Sequence, residues 1–199
     1  MPANRPNEFC YLSADMARPT GSTLLPRSDR IPVSYTATVP AIDPRAFREC
    51  CGSFATGVTV ITTHTSEGDH GMTVSAFMSV SLDPPLIAVS LDRRAKMLPR
   101  LKVSRRFAVN ILSQGMKAHA LHFAGRSDER LMDLFLSSQG LPVLRGAAAV
   151  ITADLMQQVE AGDHVLFLGH VRHLIRDSAA TPLLFHAGQF NSLATRPDD

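Results

Sequence analysis

Hydroxyl side chains recur at alternate positions along one apolar stretch of this chain of 199 residues. Thr73, Ser75, Ser79 and Ser81 occupy odd positions of the segment 71–91, and apolar residues occupy the even positions between them. Because residues two apart in a strand share one face of the sheet, this pattern predicts a strand with a core on one side. The other side would offer hydrogen bonds to a polar ligand, so the segment is a candidate binding surface.

A basic loop follows the next run of apolar residues. In the segment 92–96, Arg93, Arg94 and Lys96 place three cations within four residues, at a predicted junction between a strand and a helix. Such cations, together with the N-terminus of the following helix, can hold a phosphate group. A solvent-exposed run of charges is the alternative that the sequence leaves open.

Several conventional catalytic motifs are absent from the sequence. It contains no G-x-G-x-x-G after a strand, no Walker A motif and no G-x-S-x-G nucleophile elbow. Cys50 and Cys51 fall at the end of a predicted helix, where the helix dipole disfavours a nucleophilic thiolate. These features argue against a Rossmann or P-loop nucleotide site, a serine hydrolase and a cysteine enzyme.

The histidines do not predict a metal site. His164, His170 and His173 lie in one predicted strand and spread over about 30 Å at the rise of an extended chain. His119 and His122 lie about one helical turn apart, but the sequence offers them no obvious carboxylate partner. We therefore expect no metal.

Composition excludes several further classes. A formal charge of +2 argues against binding of nucleic acid by bulk charge. No apolar run approaches the roughly 20 residues needed to cross a bilayer, and no signal peptide is evident. Three cysteines, two of them adjacent, make a poor disulfide framework, which predicts a reducing, cytoplasmic setting.

The chain divides into two parts by composition. Residues 1–40 hold six prolines and show little periodicity, which predicts a flexible or wrapping N-terminal extension. The folded domain is predicted over 41–199. It begins with a helix, because Asp43 can serve as the N-cap carboxylate and Pro44 suits the first helical position.

Strands outnumber helices in the predicted domain. The β-branched and apolar runs predict strands at 58–64, 72–81, 86–91, 107–112, 150–159, 163–175 and 183–186, and helices are predicted at 96–102, 114–123 and 128–138. Short helices and hairpins connect these strands. The pattern favours a mostly antiparallel β-barrel with peripheral helices over a doubly wound parallel sheet.

Seven segments in this order resemble the flavin reductase-like family, whose fold is an FMN-binding split β-barrel of antiparallel Greek-key type. The resemblance covers roughly 44–193. It is carried by the segments FATGVTVITT (54–63), GMTVSAFMSVSLDPPL (71–86), FAVNIL (107–112), FAGR (123–126), GLPVL (140–144), AGDHVLFLGHV (161–171) and PLLFHAGQF (182–190). Each segment is weak alone, and their common order makes the resemblance specific.

The resemblance implies a set of flavin-binding and catalytic residues. Those along the flavin ring edge would be Thr73, Val74, Ser75 and Ala76. Those around the ribityl chain and phosphate would be Ser90, Leu91, Arg94, Ala95, Lys96, Asn110, Phe123 and Arg126. His164, His186 and Phe190 would face the open side of the ring, where a nicotinamide can stack, and the two histidines are the candidate catalytic residues.

The family resemblance also implies an activity and partners. The expected enzyme is an NAD(P)H:flavin oxidoreductase that transfers a hydride from NADH or NADPH to FMN or FAD. It would form a homodimer and supply reduced flavin to a separate monooxygenase component, with no nucleic acid or membrane partner. Two alternatives stay open: a non-catalytic flavin-binding or sensor protein on the same fold, and a split-barrel flavin oxidase.

Overall fold

A computed structural model describes residues 41–194 of the chain. The predicted N-terminal extension at 1–40 lies outside the described residues, so its character stays a prediction. The described strands are antiparallel and dominate the structure, which confirms the mostly β prediction. The helices are α1 (Pro44–Gly52), α2 (Met97–Ser104) and α3 (Lys117–Phe123), the last preceded by a 3₁₀ turn at Gln114–Met116.

Twelve strands are described, in three sheets. They are β1 (Thr56–Gly57), β2 (Thr59–Thr65), β3 (Gly68–Val74), β4 (Phe77–Leu82), β5 (Pro85–Asp92), β6 (Arg106–Ile111), β7 (Phe135–Ser138), β8 (Leu141–Leu144), β9 (Ala149–Ala161), β10 (His164–Arg176), β11 (Leu184–His186) and β12 (Gln189–Asn191). The main sheet has the order β3-β2-β6-β9-β10-β5-β4, and the small sheets are β1-β11-β12 and β7-β8.

The first helix begins where the sequence predicts. Asp43 is the N-cap, and its carboxylate accepts hydrogen bonds from the backbone N–H groups of Arg45 and Ala46 at 3.2 and 3.3 Å. Pro44 occupies the first helical position, where its missing N–H costs nothing. The start of this helix could therefore be predicted from the local sequence alone.

The main sheet is closed at one corner by a very short connection. Its two edge strands, β3 and β4, follow each other in the chain and are joined only by Ser75 and Ala76. Three Cα–Cα steps span at most about 11 Å, so the two edges meet at this corner. The sheet is therefore rolled into a barrel, with a break in strand pairing at Ser75 and Ala76.

Two predicted elements are wrong. The strand predicted at 72–81 is two strands, because the chain leaves its partner β2 after Val74 and pairs with β5 from Phe77 onward. The helix predicted at 128–138 does not form, and its last four residues are the strand β7, which pairs with β8. At 72–81 the change of partner overrides the continuous local pattern, and at 135–138 the chain forms a two-residue hairpin with β8 in place of the predicted helix.

The barrel interior is tightly packed around β10. Gly169 has no side chain, and a Cβ atom added there would lie 2.7 Å from the ring of Phe107 and 3.0 Å from Cβ of Ala153. Both neighbours are fully or almost fully buried. Glycine is therefore required at this position for close packing.

Gly169→Ala is expected to destabilise the protein by about 1–3 kcal/mol, because an extra methyl in a full core forces its neighbours to shift. Chemical denaturation measures the loss. Gly115→Ala is the matched control, since no atom lies within 4 Å of a Cβ added there. Equal stability of the two variants would contradict the packing described.

Candidate functional site

Two cavities meet at the break between β3 and β4. The α3 cavity has a volume of about 780 Å³, and the strand cavity has a volume of about 420 Å³. Ser75 lines both, so it stands between them. Clefts of these volumes are of the size that binds small organic ligands.

The α3 cavity lies between α3, the end of β3 and the β11–β12 hairpin. Its walls are mainly apolar, and its polar groups include two cations. The lining residues are Val58, Thr73, Ser75, Lys117, Ala120, Leu121, Ala124, Arg126, Phe185, Gly188, Gln189 and Phe190. A ligand with flat apolar parts and negative charge suits this surface.

The strand cavity lies over the β3–β4 break and the middle of β5. Its walls are apolar, with hydroxyl groups at Thr56, Ser75 and Ser90. The remaining lining residues are Phe54, Ala76, Phe77, Met78, Ala88, Val89 and Leu166. A flat ring with apolar faces and a polar edge suits this cavity.

Contacts on both sides hold the end of β3 in place. Thr73 Oγ1 donates to the backbone carbonyl of Ala120 in α3 at 2.7 Å. Thr59 Oγ1 donates to the carbonyl of Val74 at 2.6 Å. These bonds fix the strand where it enters the cavities, so the position of Ser75 is set by the scaffold.

The last turn of α3 packs on the backbone of β3. A Cβ atom added at Gly71 would lie 2.6 Å from the ring of Phe123, so the ring rests where a side chain would be. Phe123 also contacts Phe135, with ring centroids 5.7 Å apart. Phe123 therefore positions α3, and it is not among the lining residues of either cavity.

Asp92, at the start of the predicted basic loop, holds the loop in place through hydrogen bonds from Arg94. The Arg94 guanidinium donates to both oxygens of Asp92 at 3.1 and 2.7 Å, and the backbone N–H of Arg94 donates to Oδ1 of Asp92 at 2.8 Å. These hydrogen bonds hold the pKa of Asp92 well below its usual range. Arg94 is thus engaged within the loop and Arg93 pairs with Glu160 at 2.7 Å, while Lys96 is exposed.

His164 stands beside this loop. It opens β10 and pairs with Asp92 across the strands, and the backbone N–H of Arg93 donates to the carbonyl of Asp163 at 3.0 Å. Nδ1 of His164 lies 2.7 Å from Oδ1 of Asp163. A carboxylate only accepts, so Nδ1 donates this hydrogen bond, and Nε2 is left available to a ligand. The same bond lowers the pKa of Asp163.

The second predicted histidine lies in the small sheet. His186 is exposed at the end of β11 and pairs with Gln189 of β12. Phe190 lines the α3 cavity and packs edge-on against Phe185, with centroids 5.3 Å apart. The hairpin is tied to α1, because the N–H of Ala187 donates to the carbonyl of Gly52 at 2.9 Å.

The structure brings some of the predicted site residues together in the two cavity walls and places the others elsewhere. The predicted residues that line the two cavities are Thr73, Ser75, Ala76, Ser90, Arg126 and Phe190. The side chains of Val74 and Leu91 are in the hydrophobic core. Within the described part of the chain, neither lining includes Arg94, Ala95, Lys96, His164 or His186.

Asn110 is a core residue and not a lining residue. It is fully buried, and its amide donates to the carbonyl of Val60 at 2.9 Å and to Oγ1 of Thr62 at 3.0 Å. Its own carbonyl accepts from the backbone N–H of Leu144 at 2.7 Å. Its side-chain polar atoms are therefore engaged inside the protein, in contrast with the ligand contact expected from the family resemblance.

Several lining residues were missed in the sequence. Lys117 and Gln189 line the α3 cavity, and Phe54 and Thr56 line the strand cavity. Lys117 lies within a predicted helix but carries no local signal for binding. Phe54 and Thr56 belong to the first segment of the family resemblance, which could have brought them forward.

Two half-buried histidines predict a loss of stability in acid. Burial lowers the pKa of His119 on α3 and of His70 on β3, and the positive charges of Arg100 and Lys96 lower that of His70 further. The unfolded chain therefore takes up protons first, below the ordinary value of 6.5. Above that pH these two histidines cost no stability, and below it the free energy of unfolding falls as the pH drops.

Thermal unfolding measured at intervals from about pH 8 to about pH 5 tests this expectation. The variant carrying both His70→Gln and His119→Gln is expected to show a flatter profile than the natural chain. His173→Gln, at an exposed position, is the control. Parallel profiles in all three proteins would contradict the assignment.

Over 41–194, no group of three or more histidine, cysteine, aspartate or glutamate side chains is arranged to hold a metal ion. Within the same residues, no helix is long and apolar enough to cross a membrane.

Comparison with known proteins gives a consistent result. The family model described as flavin reductase like domain matches residues 51–194. The chain is 40% identical over 157 residues to an NADH-dependent flavin reductase of Rhodococcus sp, covering 77% of this chain and 89% of that protein. It is 38% identical over 140 residues to the reductase component of 4-hydroxyphenylacetate 3-monooxygenase of Thermus thermophilus, covering 70% and 90%. Among solved structures, flavin reductase PheA2 in its native state superposes with a TM-score of 0.74 at 46% identity, covering 77% of this chain and all of that one.

Proposed function

The chain belongs to the flavin reductase-like family, and we propose that it is an oxidoreductase that transfers a hydride from NADH to FMN or FAD. The predicted split-barrel fold and the family resemblance are confirmed. The domain limits of 41–199 stay a prediction. The observation that carries the proposal is the break between β3 and β4, which opens two cavities around Ser75.

The strand cavity fits the ring system of a flavin. Phe54, Phe77 and Val89 offer apolar walls, and the hydroxyls of Ser75 and Ser90 offer hydrogen bonds to a polar ring edge. The backbone near the break is partly committed, because the N–H of Ser90 donates to the carbonyl of Ala76 at 3.0 Å. The hydrogen-bonding groups of the strand cavity therefore suit a flat, neutral ring. Binding such a ring needs no metal.

The bound flavin supplies the ring that accepts the hydride, and the nicotinamide supplies the hydride. The residues of this chain bind and orient the two rings, since transfer needs reacting atoms roughly 3–3.5 Å apart. Apolar walls such as Phe77 and Val89 exclude water from the ring faces. Such work requires neither a nucleophile nor a general base, which agrees with the missing motifs.

His164 is the proposed positioning group for the nicotinamide, and His186 is the second candidate. The bond from Nδ1 to Asp163 fixes the ring of His164, and its side chain is 42% exposed. His164→Ala is expected to lower NADH-dependent turnover about tenfold, the loss expected for one hydrogen bond to a polar ligand, and to change flavin affinity less.

Turnover is measured with NADH and excess flavin, and flavin affinity by quenching of flavin fluorescence. His173→Ala, an exposed histidine on the same strand, is the matched control. Equal losses of turnover and flavin affinity in His164→Ala would assign a structural role to His164.

The proposed activity is tested by following NADH absorbance with the purified full chain and FMN, FAD or riboflavin. NADH oxidation above the rate with flavin alone is expected, and a parallel titration with NADPH measures the donor preference. Bound flavin with no oxidation of either nucleotide would favour a non-catalytic flavin-binding protein. Oxygen consumption that depends on another substrate, without nicotinamide, would favour an oxidase.

A homodimer is also part of the proposal. Large apolar side chains are exposed on β4, where Met78 is 55%, Val80 44% and Leu82 71% exposed. Phe47 and Phe54, on and just after α1, are 59% and 78% exposed. Contiguous exposed apolar surface marks an interaction site, and Met78 and Phe54 also line the strand cavity. A second copy would cover this surface, and light scattering of the purified chain tests it.

The product of the proposed reaction is a reduced flavin, which suits a separate oxygenase component as its consumer. The support is the name of the Thermus thermophilus relative, a reductase component of a monooxygenase. The exposed free thiols of Cys50 and Cys51 suit the reducing cytoplasm. Coupled hydroxylation with an added oxygenase component, compared with the same mixture lacking this chain, tests the transfer.

A further inference from the structure

The turn at 124–128, which follows α3, is bound to that helix at both of its ends. At the first end, the backbone N–H of Gly125 donates to the carbonyl of His122 at 3.1 Å. The N–H of Arg126 donates to the carbonyl of Leu121 at 3.0 Å. These two bonds form a Schellman motif, in which Gly125 takes the left-handed conformation at φ +94°. The end of α3 therefore fixes where the backbone of Arg126 begins.

The side chain of His122 closes the other end of this turn. The backbone N–H of Asp128 donates to Nδ1 of His122 at 3.0 Å, in a partly buried position. Since Nδ1 accepts this bond, the imidazole is in the form that carries its proton on Nε2. The ring also packs edge-on against Phe123, with ring centroids 4.9 Å apart, which limits its movement. His122, which the sequence offered with His119 as a possible metal pair, is thus a ligand of the backbone.

Arg126 lies between these two attachments and lines the α3 cavity. No ion pair joins its guanidinium to another residue within 41–194. The carboxylate of Asp128, two residues further on, is bound by Arg130 at 2.8 Å. His122 itself is not among the described lining residues of either cavity. An effect of His122 on a ligand would therefore pass through the turn and through Arg126.

We propose that His122 is a positioning residue, whose bond to Asp128 holds the turn 124–128 so that the Arg126 guanidinium stays at the wall of the α3 cavity. This inference rests on the proposed flavin reductase function, whose substrates carry phosphate groups that a guanidinium binds. Without the bond, the turn has more conformations, and only a fraction of them present Arg126 to the cavity. The apparent affinity falls by that fraction, while turnover of the complete complex is unchanged.

The first experiment compares His122→Phe with His122→Asn in the full-length protein. Phenylalanine keeps a flat ring beside Phe123 and removes the acceptor, whereas the side-chain carbonyl of asparagine accepts in place of Nδ1. KM for NADH is measured with riboflavin, which lacks a phosphate, as the acceptor, and KM for FMN at saturating NADH. These two measurements distinguish the phosphate of the flavin from those of the nicotinamide nucleotide.

In His122→Phe, KM is expected to rise about five- to tenfold for the substrate whose phosphate meets Arg126, as for the loss of one hydrogen bond, with kcat unchanged. His122→Asn is expected to restore the natural KM. His122→Ala, which also lacks the acceptor, repeats the test with a smaller side chain. Unchanged KM values for both substrates, or a loss confined to kcat, would overturn the proposal.

A double-mutant cycle with Arg126→Met shows whether His122 acts through Arg126. Arg126→Met is expected to raise the same KM about ten- to a hundredfold, as for a hydrogen bond to a charged group. Adding His122→Phe is expected to raise it no further, because the side chain that the turn positions is gone. Effects of the two substitutions that simply add, or an unchanged KM in Arg126→Met, would overturn the proposal.

Amide hydrogen exchange tests the turn without reference to activity. Exchange over 124–128 is expected to be faster in His122→Phe than in the natural chain or in His122→Asn, because the bond protects the N–H of Asp128. His173→Phe, at an exposed histidine of β10, is the matched control and should change neither exchange nor KM. Equal exchange in all four proteins would overturn the proposal. Failure of the natural chain to reduce riboflavin would instead reject the flavin reductase function, which this measurement does not use.

Discussion

Ser75→Leu is expected to lower kcat/KM for flavin about a hundredfold and to leave the fold intact. Ser75 is the residue that lines both cavities, and its side chain is exposed to them. A leucine there fills space at the junction and displaces a bound ring, and a displacement of about 1 Å can cost that much in rate. The fold is spared, because an exposed position adds no volume to the core.

Steady-state reduction of FMN and FAD by NADH measures this effect, and thermal unfolding verifies the fold. Ser178→Leu is the matched control, since Ser178 is exposed in the turn after β10 and lines neither cavity. Full activity of Ser75→Leu with both flavins would show that the junction of the two cavities is not part of the ligand site. The proposal that these cavities hold the reacting rings would then fail.

Asn110→Leu is expected to destabilise the protein by about 3 kcal/mol. Leucine fills a similar volume but leaves the N–H of Leu144 buried without the carbonyl partner that Asn110 provides. An unsatisfied buried group costs about 1–3 kcal/mol, and the variant also loses the hydrogen bonds that the Asn110 amide donates to Val60 and Thr62. The substitution is therefore expected to lower the free energy of unfolding and to leave ligand affinity unchanged.

Denaturation by urea measures the loss, and flavin affinity is measured below the unfolding range. Asn191→Leu is the control: Asn191 is exposed, so a change within about 0.5 kcal/mol is expected. A stable Asn110→Leu protein with weakened flavin binding would return Asn110 to the binding site. That outcome would contradict the core role described above.

Elements with a strong local signal were predictable from sequence. The start of α1 needs only the Asp43 cap and Pro44, both of which act within one turn. Strands β5, β6, β9 and β10 appear within a few residues of their predicted positions, because long β-branched and apolar runs have few other stable states. The order of the seven segments was enough to identify the family.

Elements fixed by pairing with another strand were not predictable in this way. The segment 72–81 has one continuous alternating pattern, yet the chain changes partner inside it. The alternation places hydroxyls on one face only while the strand is continuous, so Thr73 instead bonds to Ala120 and Ser75 lies at the break. The segment 128–138 contains helix-forming residues, but its last four residues pair with β8 in a hairpin closed by Gln139 and Gly140, both at positive φ.

The sequence by itself determined the family, the mostly β class and the stretch around Ser75, because these depend on residue types and their order. Tertiary structure decided which predicted residues reach a cavity. Asn110 and Phe123 were expected to contact the ligand. In the structure the Asn110 side chain bonds within the core, and the Phe123 ring packs α3 against Gly71 of β3. Lys117 carried no signal, and it enters the cavity wall only because α3 docks against β3. Side-chain direction depends on what each element packs against, and a linear pattern does not contain that information.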